Sequence, residues 1–519
     1  MSQDREGFSK LRAYLWPIHS FELSKFLPLL VMAFFISFNY HILRNMKDTL
    51  LITAKSSGAE VIPFIKVWGI VPGALLMTFI YSRLNNRLKH ERVFYGMILI
   101  FLVFFASFTF IIYPMRDYLH PHQTADFLHD HVPAGFKGLI AMFRYWTFSS
   151  FYIMSELWSS AILSMLFWGL ANEVTRLGEA KRFYSLIAIG LNLAAITSGQ
   201  VSVFLTGDFL RSRIMLTENP WHQSMIFLTL VVIFSGIIIM CIYRYLTKQI
   251  FLDHHSSGSI ESPTPKMKMS MRENFALLGR SNYLLYIAIV VLSYNIVINL
   301  VEVIWKDQVR TLYPQPNDFN AYMSQITTIT GVISVLTSIL ISGQLIRRFG
   351  WTPTALITPI ILLITSFFFF LFFFGRHQLT GALALFGTSP LMIVVLFGSM
   401  QNCLCRASKY TLFDATKEMA FIPLSAFDRI KGKAAIDGVG SRLGKSGGSL
   451  IHQGLLVIFA TISASAHIVA AILFLVIIFW IVAVLSLGRQ FNALPSNKAT
   501  PSPQPIKTEH QQKAELISN

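Results

Sequence analysis

Charged residues are scarce in this chain, and their scarcity excludes most soluble protein classes. Only 13% of the 519 residues are Asp, Glu, Lys or Arg, whereas 54% are hydrophobic. An ordinary soluble domain carries about 25% charged residues. The apolar segments here also reach the roughly 20 residues that a membrane span needs. We therefore predict an all-α membrane protein that crosses the bilayer many times.

Cysteines and acidic residues are also few. The three cysteines lie in or beside apolar segments, so neither a disulfide framework nor a structural zinc site is expected: Cys241, Cys403 and Cys405. The chain has 43 Lys and Arg but only 26 acidic residues, which gives a net charge of +17. Most of these basic residues fall in short segments between apolar runs, where membrane orientation accounts for them. We therefore expect no nucleic-acid partner.

Twelve apolar segments are long enough to span a membrane, the first from Leu27 to Leu43 and the eleventh from Leu443 to Ile462. A wide polar gap after the sixth segment divides them into two halves of six. The predicted organisation is a cytoplasmic tail at 1–26, a six-helix half at 27–245, a cytoplasmic linker at 246–282, a second half at 283–487 and a disordered cytoplasmic tail at 488–519. Basic loops follow the even-numbered spans, which predicts that both termini are cytoplasmic.

The loop after the eighth span resembles a signature of the major facilitator superfamily. It reads Gly343-Gln-Leu-Ile-Arg-Arg348-Phe-Gly350 and lacks the Asp of that pattern. Transporters of this kind are built from repeated six-helix units with the binding site between them. We therefore predict a major-facilitator-like fold.

The stretch from Ser37 to Leu50 carries basic residues directly out of an apolar run. Tyr40, Arg44 and Lys47 fall at i, i+4 and i+7, which is one face of a helix. Charge inside a membrane is costly and usually faces a water-filled path or a partner. This face is interpreted as an anion-binding wall. The alternative is that Lys47 and Asp48 mark the point where the first helix leaves the membrane.

Two further spans carry buried polar groups. Glu156 lies near the middle of span 4, where a carboxylate needs a partner or a proton. In span 7 a polar stripe runs at i, i+4, i+7 and i+11 along an apolar helix, formed by Asn295, Asn299, Glu302 and Lys306. The stripe is expected to face a cavity, or alternatively to hold neighbouring helices together.

The segment from Lys431 to Gly448 is rich in glycine and lysine, but it does not fit a phosphate-binding loop. A Walker A motif needs a glycine five residues before Gly444, and Val439 stands there. An ATPase is therefore not expected. The segment keeps a cation, Lys445, among glycines that let a helix or a ligand approach closely.

Four histidines and two aspartates crowd the region before Lys137: His120, His122, Asp126, His129, Asp130 and His131. The spacing of a structural zinc site is absent. An exposed extracytoplasmic loop is the preferred interpretation, with a metal site as the alternative.

The chain as a whole resembles the nucleotide transporter family of plastids and obligate intracellular bacteria, the ATP:ADP antiporters. The matching stretches span nearly the entire sequence: Trp16 to His19, Asn39 to Leu50, Gly58 to Gly69, Glu156 to Trp158, Phe167 to Asn172, Ser408 to Glu418 and Lys431 to Gly448. Members of this family exchange ATP for ADP and phosphate, or import other nucleotides, in some cases with protons.

The resemblance implies that two lysines and two glutamates, Lys47, Glu156, Glu302 and Lys445, take part in transport. With Arg44 and Asn299 they form the predicted substrate site of a transporter that needs no cofactor and lies in a bacterial inner membrane. ATP/ADP exchange is the first hypothesis. Asn45-Met46 and Ser441-Arg442 depart from the pattern of the exchangers, so proton-coupled import of other nucleoside triphosphates stays open. A membrane-embedded enzyme is a remote third alternative.

Overall fold

The structure, a computed structural model, describes residues 16–175, 177–256, 281–340, 345, 348–376, 378, 381, 387–433, 435–436 and 440–493. Among these residues eleven helices are long and apolar enough to cross a membrane. In chain order they are α1 (Ser20–Ile52), α2 (Val61–Arg87), α3 (His90–Ile112), α4 (Trp146–Val174), α5 (Arg182–Thr206), α6 (Pro220–Lys248), α7 (Asn282–Leu312), α8 (Pro316–Ile339), α9 (Trp351–Gly375), α10 (Pro390–Ala420) and α12 (Ile462–Ala493).

A further helix lies between α10 and α12 and is not one of these eleven. This helix, α11 (Ser441–Phe459), has 19 residues. It begins with charged and small residues instead of an apolar run, so it is the least hydrophobic of the twelve. The predicted all-α, major-facilitator-like architecture is confirmed.

Several helices extend beyond the predicted spans, because apolar periodicity ends before the helix does. The first span was placed at Leu27 to Leu43, whereas α1 continues to Ile52. The helix that contains α6 extends to Ser256, into the predicted linker, and α12 extends to Ala493, into the predicted tail. The rest of the linker up to residue 280, residues 1–15 of the first tail and residues 494–519 of the last lie outside the described residues.

The two halves repeat the same packing pattern. Helix α1 packs against α4, α5 and α6, and α7 packs against α10, α11 and α12. The contacts between halves are also equivalent, because α5 lies on α8 while α2 lies on α11. This is the repeat arrangement of secondary transporters, in which the site lies between the halves.

Tryptophan and asparagine side chains fix these internal contacts. The indole N–H of Trp158 donates to the carbonyl of Ile36 at 3.0 Å, which ties α4 to α1. Asn39 donates to the carbonyl of Val232 at 3.0 Å and ties α6 to α1. Such bonds hold helices together where apolar burial alone gives little preference between protein and lipid.

Polar bonds between the halves are concentrated at the end of the bundle where α1 and α7 end, here named the closed end. Asn45 of α1 donates to Ser324 of α8 at 3.1 Å. Gln453 of α11 donates to the carbonyl of Pro63 in α2 at 2.8 Å. At the opposite, open end, no hydrogen bond or ion pair joins the halves within the described part of the chain. Among the described residues, polar bonds therefore link the halves at the closed end and not at the open end.

The region between α3 and α4 is helical, which corrects the prediction of an exposed loop. It forms three short helices, Arg116–Leu119, His122–His131 and Lys137–Arg144. His120 is buried, and its Nε2 lies 2.6 Å from the hydroxyl of Thr147. In the described ranges no three His, Cys, Asp or Glu side chains come together as metal ligands would.

Candidate functional site

Helix α1 carries an ion pair into the interior of the bundle. Lys47 and Asp48 are buried, with Lys47 Nζ 2.9 Å from Asp48 Oδ1. The second carboxylate oxygen of Asp48 accepts from Lys306 of α7 at 2.8 Å. Both residues lie within α1, which runs on to Ile52. Asp48 therefore bridges one lysine from each half.

Glu302 of α7 is the most heavily paired carboxylate in this part of the bundle. Its oxygens lie within 3.4 Å of four cationic groups: Arg44 at 3.4 Å, Lys66 at 3.3 Å, Lys306 at 3.0 Å and Arg406 at 3.1 Å. Arg44 and Lys66 belong to the first half, whereas Lys306 and Arg406 belong to the second. Burial of a carboxylate requires such compensation, because an isolated charge in an apolar interior is costly.

Glu156 and Tyr152 of α4 complete the surroundings of Lys47. Glu156 Oε1 lies 3.1 Å from Lys47 Nζ, and the Tyr152 ring centroid lies 3.6 Å from the same ammonium group. A ring face at this distance stabilises a cation. Lys47 thus has two carboxylates and one aromatic ring around it. The side chain of Glu156 keeps 26% of its surface accessible, so this carboxylate is only partly enclosed.

Together these side chains form one network, here named the central cluster, with an excess of positive charge. The described residues contribute five cations and three carboxylates: Arg44, Lys47, Lys66, Lys306 and Arg406 against Asp48, Glu156 and Glu302. The surplus of two positive charges lies between the halves, where the dielectric constant is low and an anion is attracted strongly. The cluster can therefore bind a multiply charged anion.

Lys445 lies beside the central cluster without joining it. Its side chain is exposed and makes no ion pair with any residue that the structure describes. Glu156 and Tyr410 are within electrostatic reach of its ammonium group. Lys445 is therefore a free cation on the side of the central cluster toward the open end. It raises the local surplus to three positive charges.

Two glycines hold α11 against the polar stripe of α7. A Cβ atom at Gly444 would lie 2.8 Å from Cβ of Asn295, and one at Gly448 would lie 3.0 Å from Cβ of Asn299. Small residues four apart allow this close helix approach in membranes. Both interpretations of the stripe therefore hold in part: Asn295 and Asn299 contact a neighbouring helix, while Glu302 and Lys306 lie in the charged network.

The structure brings together five of the six predicted site residues, Arg44, Lys47, Glu156, Asn299 and Glu302, with Lys445 close by. Asn299 enters through its Oδ1, which accepts from Lys66 Nζ at 2.6 Å. Sequence reasoning missed Lys66 and Arg406 as site residues and did not foresee that Asp48 pairs with Lys306.

Widened helical turns adjoin three members of the central cluster. α2 has π-helical geometry over Lys66–Ile70, α4 over Ser159–Phe167, just after Glu156, and α10 over Lys409–Phe413, just after Arg406. Insertions of this kind occur frequently at functional sites, because the extra residue redirects the side chains around it. Each of the three widened turns therefore lies beside a charged residue of the central cluster.

Twelve helices in two repeated halves, with a charged site between them, define a membrane transporter of the major-facilitator-like fold. Solved structures agree on the fold. A D-xylose-proton symporter aligns with a TM-score of 0.53 and 14% identity over 89% of this chain and 97% of that chain. The POT family transporter PepTSo aligns with a TM-score of 0.54 and 11% identity over 90% and 98% of the two chains.

The chain belongs to the TLC ATP/ADP transporter family, whose model matches residues 1–491. The ADP,ATP carrier protein 2 of Chlamydia pneumoniae is 46% identical over 516 residues, which cover 97% of this chain and 95% of that protein. The ADP,ATP carrier protein 1 of Chlamydia trachomatis is 47% identical over 501 residues, 96% and 94% of the two chains. The chloroplastic ADP,ATP carrier protein 1 of Arabidopsis thaliana is 39% identical over 476 residues, 92% and 75% of the two. The resemblance to nucleotide transporters is confirmed.

Proposed function

We propose that this protein exchanges ATP for ADP across a membrane by alternating access, and that the central cluster with Lys445 binds the phosphates. The observation that carries the proposal is the buried surplus of cations between the halves. ATP and ADP carry roughly three to four negative charges near neutral pH, and charge-assisted bonds to phosphate are the strongest that lysine and arginine make.

In the mechanism, the substrate competes with the carboxylates of the cluster for the same cations. When the site is empty, Glu156 neutralises Lys47 and Glu302 neutralises Lys66 and Arg406. Phosphate oxygens that enter from the open end meet Lys445 first and then displace these carboxylates from the cations. Because the ion pairs of Glu302 and Asp48 join the two halves, their displacement frees the closed end to open. Transport is then an exchange, because the carrier changes conformation in either direction only when a substrate replaces the ion pairs of Glu302 and Asp48.

The open end is proposed to face the cytoplasm of a bacterium, with both termini on that side of the inner membrane. The support is the positive-inside pattern, since the basic loops adjoin the ends of the helices at which α1 and α7 begin. The described conformation is then open to the cytoplasm and closed toward the outside. Phosphate or protons are the coupled ions that the family resemblance suggests.

Uptake of labelled ATP into Escherichia coli cells that express the protein tests the proposal. Preloading with ADP should raise the uptake rate, and Lys47→Ala or Lys445→Ala should abolish uptake while leaving the amount of protein in the membrane unchanged. The exposed Lys89, between α2 and α3, provides the matched control as Lys89→Ala. Normal uptake by both site variants would remove them from the site, and no uptake by the wild-type protein would overturn the exchange proposal.

The second candidate function is proton-coupled import of other nucleoside triphosphates. It is favoured by Asn45, which stands where the exchangers carry an acidic residue and which here donates to Ser324 and Thr327 at 3.1 and 3.3 Å. A proton uncoupler separates the two functions. Symport would collapse on its addition and would not need internal ADP, whereas exchange would require the internal load.

A further inference from the structure

A cavity lies at the closed end, outside the central cluster. It has a volume of about 560 Å³ and lies between the end of α1, the start of α8, and the short helices before α4. This volume is within the range of roughly 300 to 1,000 Å³ that small-molecule sites occupy. We name this cavity the outer pocket. Its walls include basic and aromatic side chains: Lys55, Tyr113, Arg116, His120, His122, Arg144, Tyr145, Phe148 and Trp221.

The basic side chains of the outer pocket are held in different ways. Arg144 is buried and bonds to Asp126. Arg116 donates to the carbonyl of Tyr113 at 3.0 Å and lies 3.7 Å from Asp117. Lys55 is exposed, and its ammonium group makes no hydrogen bond or ion pair with the described residues. Three cations against two carboxylates leave one positive charge, located on a side chain that is free to bind an anion.

Aromatic rings form a continuous wall beside these cations. The Tyr145 and Phe148 rings stack with centroids 5.4 Å apart, and the Tyr113 and Phe148 rings stack at 5.8 Å. The hydroxyl of Tyr145 donates to the backbone carbonyl of Lys55 at 2.6 Å, which places the lysine at the edge of this wall. These rings pack on one another and are only 5 to 6% exposed, so they offer their edges to the cavity. Ring edges next to a free cation suit a ligand that has both an aromatic base and a phosphate chain.

The protonation states of Tyr113 and His120 suit a ligand that carries phosphate groups. Burial raises the pKa of Tyr113 to about 12 and lowers the pKa of His120 to about 4. Both side chains are therefore neutral near pH 7, so the wall neither repels a phosphate chain nor adds charge of its own. The net attraction comes from Lys55, because Asp117 and Asp126 offset the charges of the two arginines.

The outer pocket lies directly above the closed end of the central site. Its walls include Leu50 of α1 and Thr53, which directly follows α1; they lie three and six residues beyond Lys47. At about 1.5 Å of rise per residue, Thr53 is roughly 9 Å along the helix from Lys47. When the closed end opens, a ligand in the outer pocket is already at the mouth of the path to the central cluster.

We propose that the outer pocket is a recruitment site for nucleoside polyphosphates, which binds them on the closed side before the central site opens to that side. The inference rests on the proposed nucleotide transport and adds a second, sided binding step to it. A charged site at the mouth of a path raises the local substrate concentration and the rate of capture.

The double variant Lys55→Gln/Arg116→Gln tests this role in intact cells, which present only the outer side. The expected result is a KM for external ATP raised about three- to tenfold at low ionic strength, with an unchanged maximal rate. The control Lys89→Gln/Arg92→Gln removes two exposed cations from the loop between α2 and α3 and should leave KM unchanged. An unchanged KM in the Lys55/Arg116 variant would overturn the recruitment site.

Inverted membrane vesicles provide the second part of this experiment, because nucleotide uptake into them starts from the open end. The Lys55/Arg116 variant should show the wild-type KM in these vesicles, and an equal rise on both sides would overturn the sided role. Failure of nucleotide transport itself would appear differently, as a wild-type protein without uptake in either preparation.

Photolabelling with 8-azido-ATP measures binding without transport. In the Lys47→Ala variant, label in the peptide that contains Tyr145 and Phe148 should persist and should be removed by excess ATP. If inorganic triphosphate competes equally well, only the cations bind and the aromatic part of the proposal fails. Absence of label in this peptide would also overturn it.

Discussion

At Lys66 a single ammonium group joins the two halves, since it donates to Asn299 and lies beside Glu302. We predict that Lys66→Ala lowers the ratio of maximal uptake rate to KM by about tenfold, equivalent to about 1.4 kcal/mol, because a phosphate ligand is lost. Lys66→Arg should restore part of it. Labelled-ATP uptake measures the effect, with Lys89→Ala as the exposed control. Unchanged kinetics in Lys66→Ala would remove this residue from the site.

His120 makes part of the stability depend on pH. Its pKa falls from the ordinary 6.5 to about 4 because the ring is buried, so the unfolded state binds more protons between these values. Stability is therefore complete above about pH 6.5 and decreases as the pH falls toward 4.

The corresponding measurement is the Tm of the purified protein at pH 7.5 and at pH 5. The wild-type Tm should drop more than that of His120→Gln, which can still bond to Thr147 but does not titrate. His129→Gln, which replaces an exposed ring, should behave as the wild type. Equal drops in the wild type and His120→Gln would contradict the assignment.

Among the helices, the contact of α11 with α7 allows the most closely matched comparison. Gly448→Ala would place a methyl group 3.0 Å from Cβ of Asn299, whereas a Cβ at Gly447 would meet no atom within 4 Å. We predict that Gly448→Ala destabilises the protein by about 1 to 3 kcal/mol through overpacking. Gly447→Ala should be neutral or slightly stabilising, because alanine favours the helix. Thermal unfolding in detergent measures both, and equal Tm values would show that the helices are not in tight contact.

The helices illustrate what sequence reasoning can and cannot supply. Isolated charge within an apolar run identified Glu156 and the stripe that contains Glu302 as candidate site residues. The same rule should have identified Lys66, which lies inside the predicted second span. That signal was present and was missed. Arg406 follows the last apolar residue of the predicted tenth span, so it looked like an ordinary loop residue. Its pairing with Glu302 is a contact between two helices, which hydrophobicity does not reveal.

Pairings between the halves lay beyond sequence reasoning for a different reason. Asp48 and Lys306 are 258 positions apart, and spacing along the chain contains no information about such a contact. The repeat of six plus six helices predicted that a shared site exists, but not which charges would meet in it. The outer pocket was hidden likewise, because the region before α4 was expected to be a loop and folds into helices.

For the whole molecule, Asp48 is a charged link between the two halves. Its two oxygens hold Lys47 and Lys306, and without that charge the two ammonium groups repel each other across the halves. We predict that Asp48→Asn lets the empty carrier reorient, so that preloaded labelled ADP leaves the cells several-fold faster than in the wild type when no external nucleotide is present.

Asp130→Asn is the control, because that carboxylate is 76% exposed in the region before α4. It should retain efflux that depends on external nucleotide. If efflux from Asp48→Asn also stays strictly dependent on external nucleotide, the bridge at Asp48 does not hold the empty carrier.

The ion pairs between the halves also have a consequence for biogenesis. Arg44 and Lys66 emerge from the ribosome long before Glu302, their shared partner, which follows Lys66 by 236 residues. Until then these cations lack their counter-charge in the lipid, which is unfavourable for an inserted helix. We expect the first six helices made alone to be degraded by quality-control proteases, and co-expression of the other six to rescue them. The electrostatic bonds that regulate passage of the cargo would then also serve as an assembly checkpoint for the newly made chain.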